Sequence, residues 1–148
     1  MNVVFISPHF PEYYHNFCSR LKDRGVNVLG VGDCPYDIIS DDTKNSLTEY
    51  YYVGSLENYD EVYRACAYFS SHYGKIDWIE SENEYWLELE ATLRRDFNVT
   101  TGPHIQDMRW MKFKSAMKEV YKSAGLKVAD YIKSVSYTHL RAHETELH

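Results

Sequence analysis

The sequence predicts an α/β fold in which layers of helices cover both faces of a parallel β-sheet. Short continuous apolar runs bounded by turn residues, such as residues 3–6, are typical of strands buried on both faces of such a sheet. These runs alternate along the chain with segments whose apolar residues recur at three- and four-residue spacing, as on one face of a helix. The change of period is sharpest in residues 76–97, where a short apolar run leads through a helix-capping sequence into a helical pattern.

The first strand, the first helix and the second strand follow one another at the start of the chain. The apolar run of residues 3–6 ends at a proline, and apolar residues then recur at helical spacing over residues 13–21. Gly25 is placed to end that helix, and residues 26–31 supply the second strand. Because a helix connects the two strands, we expect a right-handed crossover into a parallel sheet.

Three more strands are predicted further along the chain. The third is rich in tyrosine, the fourth is a short apolar run with tryptophan, and the fifth has the weakest pattern. They are predicted over residues 49–53, 76–79 and 98–101. The sequence therefore predicts a Rossmann-like three-layer domain over residues 1–103.

Helices are predicted between these strands as well. Residues 34–48 form a polar stretch that indicates a loop with a short helix. Asn58 and Glu61 form a capping arrangement before the helix that follows the third strand. Ser81 and Glu84 form a capping box before the helix that follows the fourth strand, so that helix should begin at Ser81.

Beyond Pro103 the character of the chain changes. Residues 111–124 carry a basic helical pattern that Gly125 ends. The alternation of residues 126–132 then indicates a strand. We expect residues 104–134 to begin a second domain that this chain does not complete.

The last residues resemble a non-native tail. Residues 135–145 are similar to the conceptual translation of a transposase-type sequencing adapter. We expect residues 135–148 to be non-native and the biological sequence to be cut near Lys133 or Ser134. For that reason His139 and His143, which are spaced as metal ligands on a helix, are not assigned to a metal site.

Composition and charge exclude several classes of protein. The formal net charge of −6 over 148 residues argues against a nucleic acid or an anionic membrane as the main partner. The N-terminus lacks the basic region of a signal peptide, and no apolar run is long enough to span a bilayer. The three cysteines are widely spaced without a CxxC motif, as expected of reduced thiols. We therefore expect a cytoplasmic protein.

Gly30-Val31-Gly32 resembles part of a dinucleotide-binding motif but lies at the end of the second strand. That motif needs its glycines in the first strand-to-helix turn, where the backbone approaches a pyrophosphate. Here that turn contains Pro8 and Pro11. The sequence therefore disfavours NAD or FAD binding, and it carries no P-loop motif.

Polar residues at two strand ends are candidates for substrate binding. Glu80 and Asn83 follow the fourth strand, where they either support the start of the next helix or fix a polar substrate group in a crevice. His9 follows the first strand, where a histidine is either a surface loop residue or an acid–base group. The predicted substrate-binding residues are Pro8, His9, Glu80 and Asn83.

The segment that begins at Lys114 resembles the junction between the N-terminal domain and the ATP-grasp domain of biotin carboxylase-like and carbamoyl-phosphate-synthase-like ligases. In that family an acidic strand end is followed by a helix and a short loop. An Asp-Lys pair then begins a helix that ends in Ala-Gly-Val-Pro. Here Phe113-Lys114 stands in place of the Asp-Lys pair, and Ala124-Gly125 lies at the family's spacing from Lys114. The resemblance extends over about residues 1–133.

This resemblance implies a role for Lys114 at the phosphates of ATP, which suits a compact ammonium charge. It also implies a reaction in which ATP, with Mg²⁺, phosphorylates a small-molecule carboxylate substrate and an amine or similar nucleophile attacks the acyl phosphate. The glycine-rich loop, second lysine and metal-binding carboxylates of the family lie in a C-terminal ATP-grasp domain downstream of this chain. We therefore expect a fragment that is inactive by itself and assign it no catalytic residue. The sequence leaves a homo-oligomer open.

Two alternatives come from other classes of protein. The N-terminal half of a two-domain nucleotide-sugar glycosyltransferase also opens with a strand, a proline-containing loop and a helix, but usually carries glycines in that loop. A non-catalytic α/β binding module of the receiver type needs an acidic pair behind the first strand, where Ser7 and Pro8 stand. A downstream acidic motif for a nucleotide sugar would favour the first alternative, and an early stop codon would favour the second.

Overall fold

The computed structural model describes residues 1–132 of the chain. These residues form two compact units, one from Met1 to Met108 and one that begins at Arg109. The boundary between them lies a few residues beyond Pro103, where the sequence changes character. The predicted non-native tail, including His139 and His143, lies outside the described residues.

Within residues 1–132 the sheet contains four strands, all parallel, in the order β3-β2-β1-β4. Val4 on β1 lies opposite Leu29 on β2 and Ile79 on β4, which places β1 at the centre. Because all strands run the same way, every strand ends at the same edge of the sheet. This confirms the predicted α/β fold with a parallel sheet. The strands are β1 (Asn2–Ile6), β2 (Asn27–Gly32), β3 (Glu49–Tyr52) and β4 (Trp78–Glu80).

Helices cover both faces of this sheet. Val4 belongs to a buried apolar cluster with Phe69 and Leu93 from the helices on one face. Phe5 belongs to a second cluster with Cys18 from a helix on the opposite face. No helix within residues 1–132 is long and apolar enough to cross a membrane. The helices of the first unit are α1 (His15–Lys22), α2 (Asp41–Ser46), α3 (Tyr59–Tyr73) and α4 (Leu87–Asp96), with short 3₁₀ helices at Glu12–Tyr14, Glu84–Trp86 and Ile105–Asp107.

The predicted fifth strand over residues 98–101 is wrong. Asn98 adopts a φ of 53°, and the backbone N–H of Val99 donates to the Arg94 carbonyl oxygen at 2.8 Å. These residues therefore close the end of α4 and add nothing to the sheet. Val99 is nevertheless buried in the core, so the apolar pattern reported burial correctly but not secondary structure.

The predicted helix caps also need correction. Ser81 does not cap the helix after β4, because its hydroxyl accepts a hydrogen bond from the N–H of Asn83 within the loop, at 3.1 Å. Asn83 is the actual N-cap, and its side-chain oxygen accepts from the N–H of Tyr85 at 3.0 Å. Asn58 occupies the N-cap position of α3, but its side-chain nitrogen donates to the Glu61 carboxylate at 2.9 Å and caps no backbone group.

The single basic helix predicted over residues 111–124 is interrupted. Phe113 has φ −98° and ψ 109°, which are extended values, and it separates two helices. The first is α5 (Met108–Lys112), which crosses the boundary between the two units, and the second is α6 (Lys114–Ser123). Gly125, with a φ of 78°, follows the end of α6, as the sequence predicts.

Residues 126–132 form no strand, contrary to the prediction. They instead lie along α6, since the Tyr131 hydroxyl donates to the Ser115 carbonyl oxygen at 3.4 Å. The ammonium group of Lys118 lies 4.5 Å from the centre of the Tyr131 ring, which is a cation–π contact. This segment thus contacts a helix, and no strand within residues 1–132 pairs with it.

Candidate functional site

The candidate site lies where the strand order changes direction. From β1 the chain adds β2 and then β3 on one side, whereas β4 lies on the other side of β1. In open parallel sheets such a switch point leaves a crevice outside the carboxyl ends of the strands, and ligands bind there. A crevice of about 420 Å³ is present at this edge. It is lined by residues from the loops that follow all four strands, namely Ser7, His9, Phe10, Asp33, Leu56, Asn83, Tyr85 and Trp86.

Two residues at the borders of this crevice have a strained backbone. Ser7 after β1 and Glu82 after β4 have φ values of 57° and 56°, which residues other than glycine rarely adopt. The N–H of Ser7 donates to the Val31 carbonyl oxygen at 2.8 Å. The Ser7 hydroxyl donates to the Phe10 carbonyl oxygen at 3.1 Å. The Glu82 carbonyl oxygen accepts from the Tyr14 hydroxyl at 2.6 Å. Strain of this kind concentrates at functional sites, where the surrounding structure holds it in place.

His9 and Asp33 form a pair across the crevice. Nε2 of His9 lies 3.4 Å from Oδ1 of Asp33. Burial lowers the pKa of His9 below its ordinary value of 6.5, and the Asp33 carboxylate opposes this shift only in part. His9 is therefore mainly neutral at pH 7, and the Asp33 carboxylate favours the tautomer with hydrogen on Nε2. Among the described residues, no hydrogen-bond partner reaches the buried Nδ1 of His9.

The structure explains why glycines stand at Gly30 and Gly32. A Cβ atom at Gly32 would lie 2.8 Å from Nδ1 of His9, and one at Gly30 would lie 2.7 Å from a methyl group of Leu47. Any side chain at Gly32 would also meet the Tyr50 hydroxyl, which donates to the Cys34 carbonyl oxygen at 2.6 Å. These glycines make room for neighbouring side chains. This need for space explains the Gly30-Val31-Gly32 sequence without any role in binding a dinucleotide.

The loop after β4 supplies a polar group and two aromatic rings. The Asn83 side chain is fixed by its cap on Tyr85, and the Tyr85 hydroxyl donates to the Glu57 carboxylate at 2.6 Å. The rings of Tyr85 and Trp86 meet edge to face, with centroids 4.7 Å apart. Phe10 from the β1 loop is 66% exposed and also lines the crevice. The lining of the crevice thus combines polar side chains with three aromatic residues, Phe10, Tyr85 and Trp86, which form its aromatic rim.

A buried charged network lies behind the β4 loop. The Arg94 side chain on α4 is fully buried, and its guanidinium donates to the carbonyl oxygens of Ile79 and, at 2.8 Å, Pro103. The same group lies 3.1 Å from the Glu90 carboxylate and 3.4 Å from that of Glu80. Arg94 therefore ties β4 to α4 and to the segment that leads out of the first unit.

Glu90 connects this network to the crevice. The Ser81 hydroxyl contacts the buried Glu90 carboxylate and also accepts from the N–H of Asn83. Burial raises the pKa of Glu90 from 4.5 to about 7, against the opposing effects of Ser81 and Arg94, which favour the charged carboxylate. The position of Asn83 at the crevice thus depends on groups packed below it.

The structure brings only some of the predicted site residues together. His9 and Asn83 line the crevice together. Pro8 is buried and its ring lies against β2, while the Glu80 carboxylate accepts from backbone N–H groups of its own loop and faces Arg94. Lys114 is exposed and is the first residue of α6, in the second unit.

Sequence reasoning missed several residues that shape the site. Asp33 could have been found, because it directly follows β2 and the ends of parallel strands meet at one edge. Tyr85 lies only a few residues beyond β4 and could have been found in the same way. Glu90 and Arg94 carried a misleading signal, since a charge pair four residues apart on a helix is normally an exposed pair.

A second and larger cavity lies between α1 and β4 at the sheet edge. This apolar groove measures about 620 Å³, and Glu80 and Glu82 lie among its lining residues. Its apolar lining includes Val3, Phe5, Phe17, Leu21 and Trp78.

The first unit is thus an α/β domain with a Rossmann-like parallel sheet and a crevice at its switch point. The fold of the chain is similar to that of an L-amino acid ligase from Bacillus licheniformis, with a TM-score of 0.62 and 14% sequence identity. The match covers 92% of this chain and 35% of the ligase chain, so this chain spans about a third of that protein. No protein-family model matches the sequence, and no curated protein matches it. At such low identity the structural likeness shows the fold alone.

Proposed function

We propose that this chain is the N-terminal part of an ATP-grasp ligase that joins a carboxylate to an amine through an acyl phosphate. The observation that carries the proposal is the fold likeness to an L-amino acid ligase over 92% of this chain. The sequence that begins at Lys114 supports the same class of protein. Its resemblance to the ATP-grasp junction is a likeness of sequence and does not depend on the fold. In this proposal the chain is a fragment that does not complete the reaction alone.

The crevice at the carboxyl edge of the sheet would hold a substrate. A volume of about 420 Å³ suits a small molecule, and the convergent polar groups of His9, Asp33 and Asn83 suit a polar one. The side chain of His9 is 17% exposed, so it can meet a ligand while its ring stays fixed by packing. Of the predicted substrate-binding residues, His9 and Asn83 fit this role best. Pro8 and Glu80 would support the loops that carry them.

Lys114 would contact the phosphates of ATP. It is exposed and stands at the first position of α6, where the free N–H groups of the first helical turn add to its positive charge. Mg²⁺, the glycine-rich loop and the metal-binding carboxylates would come from sequence downstream of Ser134. This division of roles leaves acceptor binding to the first unit and nucleotide chemistry to the completed second domain.

The gene sequence beyond Ser134 provides the first test. We expect a continuous frame with a glycine-rich loop, a further lysine and a late Glu and Asn pair able to hold Mg²⁺. An acidic motif for a nucleotide sugar would instead identify a glycosyltransferase. A stop codon soon after Ser134 would contradict both and leave a binding module.

The second test measures ATP binding by calorimetry in the complete protein. Lys114→Ala should weaken ATP binding at least about tenfold, or about 1.4 kcal/mol, because it removes a cation from the phosphate site. Lys75→Ala is the matched control, since Lys75 is an exposed lysine before β4 and the charge change is the same. Equal ATP affinity in the wild type and Lys114→Ala would remove this role for Lys114.

A further inference from the structure

We propose that the crevice binds the ammonium group of an amine, with Asp33 as its counter-ion and the aromatic rings at the rim packed on its apolar part. This inference rests on the proposed function, because it assigns the crevice to the amine of the reaction and not to its carboxylate or triphosphate. It would make Asp33 a substrate-binding residue that selects cations.

The charges around the crevice carry this assignment. Among the described residues that line the crevice, Asp33 is the only acidic side chain and none is Lys or Arg, while burial keeps His9 mainly neutral. The Glu57 carboxylate, which accepts from the Tyr85 hydroxyl at 2.6 Å, adds a second negative charge beside the rim. A bound carboxylate or phosphate would meet these carboxylates without a counter-charge from the lining, which disfavours anions.

The Asp33 carboxylate also has unused capacity to accept hydrogen bonds. From the part of the chain that the structure describes it has two contacts, one with Nε2 of His9 and one with the N–H of Leu56, and each is 3.4 Å long. Both are longer than the usual separation of about 2.9 Å, and a carboxylate can accept about four hydrogen bonds. The side chain is 38% exposed, so an ammonium group can reach it and donate short, charge-assisted hydrogen bonds.

The aromatic rim suits the rest of such a ligand. Phe10 and Tyr85 are 66% and 63% exposed, from loops that follow β1 and β4. Trp86 packs edge to face on Tyr85, which holds that ring in place. Aromatic faces attract cations and cover apolar groups, so the rim favours an amine that carries an aromatic or aliphatic side chain.

A set of three probes tests the charge preference of the crevice in the 148-residue chain. The probes are 2-phenylethylammonium, 3-phenylpropionate and 2-phenylethanol, which share a phenyl ring but are cationic, anionic and neutral. In ¹H–¹⁵N NMR titrations we expect the cation to bind most tightly and to shift the resonances of Ser7, Asp33 and Asn83. Equal or tighter binding of the anion, or shifts confined to residues outside the crevice, would overturn the proposal.

Variants identify the counter-ion. Asp33→Asn should weaken binding of the cation at least about tenfold and leave the neutral probe nearly unchanged, because it removes one charge without changing size. Asp33→Glu should restore part of the affinity. The control is Asp23→Asn, which makes the same charge change at the end of α1, where Asp23 is exposed and lies 3.8 Å from Arg20. Unchanged binding in Asp33→Asn would overturn the assignment, and the wild-type comparison decides the charge preference even if that variant fails to fold.

These outcomes are separable from those of the ATP experiment. Selective binding of the cation through Asp33, together with no ATP binding by the complete protein, would keep the ammonium site and end the ligase proposal. Ligase activity in which Asp33→Asn leaves the KM for the amine unchanged would end only the ammonium site.

Discussion

Arg94 shows how a single residue ties the candidate site to the rest of the first unit. Its guanidinium is removed from water, and transfer of a charge into a protein interior costs several kcal/mol, so its partners must offset that cost. Two backbone carbonyl oxygens and the Glu90 carboxylate do so, although Nε has no hydrogen-bond partner among the described residues. A Cβ atom at Gly102, where φ is 75°, would lie 2.9 Å from the guanidinium, so glycine there lets the chain pass close to Arg94.

Replacement of Glu90 with glutamine should change how stability depends on pH. Because burial raises the pKa of Glu90 from 4.5 to about 7, the folded protein binds a proton at this site more tightly than the unfolded chain does. The wild-type stability contributed by Glu90 is therefore present below about pH 4.5 and is lost as pH rises to about 7. Glutamine does not titrate, so the free energy of unfolding of Glu90→Gln should rise relative to wild type across this window. Urea unfolding at several pH values measures the difference.

An exposed glutamate provides the control for this experiment. Glu12→Gln removes the same charge at an exposed position before α1, and its stability should follow that of the wild type in parallel between the same pH values. A constant difference between wild type and Glu90→Gln over this window would show that folding does not change proton binding at Glu90. In that case the pKa of Glu90 would not be raised.

At the scale of elements, the sequence predicts what depends on local pattern. The four strands and α1, α3 and α4 follow from apolar patterns, because burial on one or two faces imposes those patterns directly. The predictions of a fifth strand and of a strand over residues 126–132 are wrong. Val99 packs into the core and Tyr131 packs against a helix, and an apolar pattern does not distinguish such packing from a strand. The helix break at Phe113 was not predicted, because no glycine or proline in the sequence marks it.

Asn83 offers a test of how the element after β4 begins. Asn83→Ala should lower the free energy of unfolding by about 1 kcal/mol, because it removes the oxygen that accepts from the N–H of Tyr85. Asn83→Asp keeps an acceptor at the same position and adds a negative charge at the start of the helix, so it should lose little. Urea unfolding of the three proteins at pH 7 measures this order. Equal stability of Asn83→Ala and wild type would show that the cap contributes nothing.

At the scale of the whole molecule, the site exists because the fold brings distant residues together. The sequence could place His9 and Asn83 at strand ends, and strand ends of a parallel sheet share one edge. It could not show that His9 faces Asp33, because that pairing depends on the order of β1 and β2 in the sheet. It also could not show that Glu80 turns away from the crevice, since that depends on Arg94 from the following helix.

The first unit should fold without the second. Both buried apolar clusters consist of residues within the first unit, and Met108, its last residue, is itself buried. A chain that ends at Met108 should therefore unfold cooperatively, with a thermal midpoint within about 4 °C of that of the 148-residue chain. For a domain of this size, a shift of about 4 °C corresponds to a change of about 1 kcal/mol in the free energy of unfolding. Circular dichroism during heating measures both midpoints. A much lower midpoint, or a loss of the cooperative transition, would show that residues beyond Met108 are required to stabilise the sheet and the crevice at its edge.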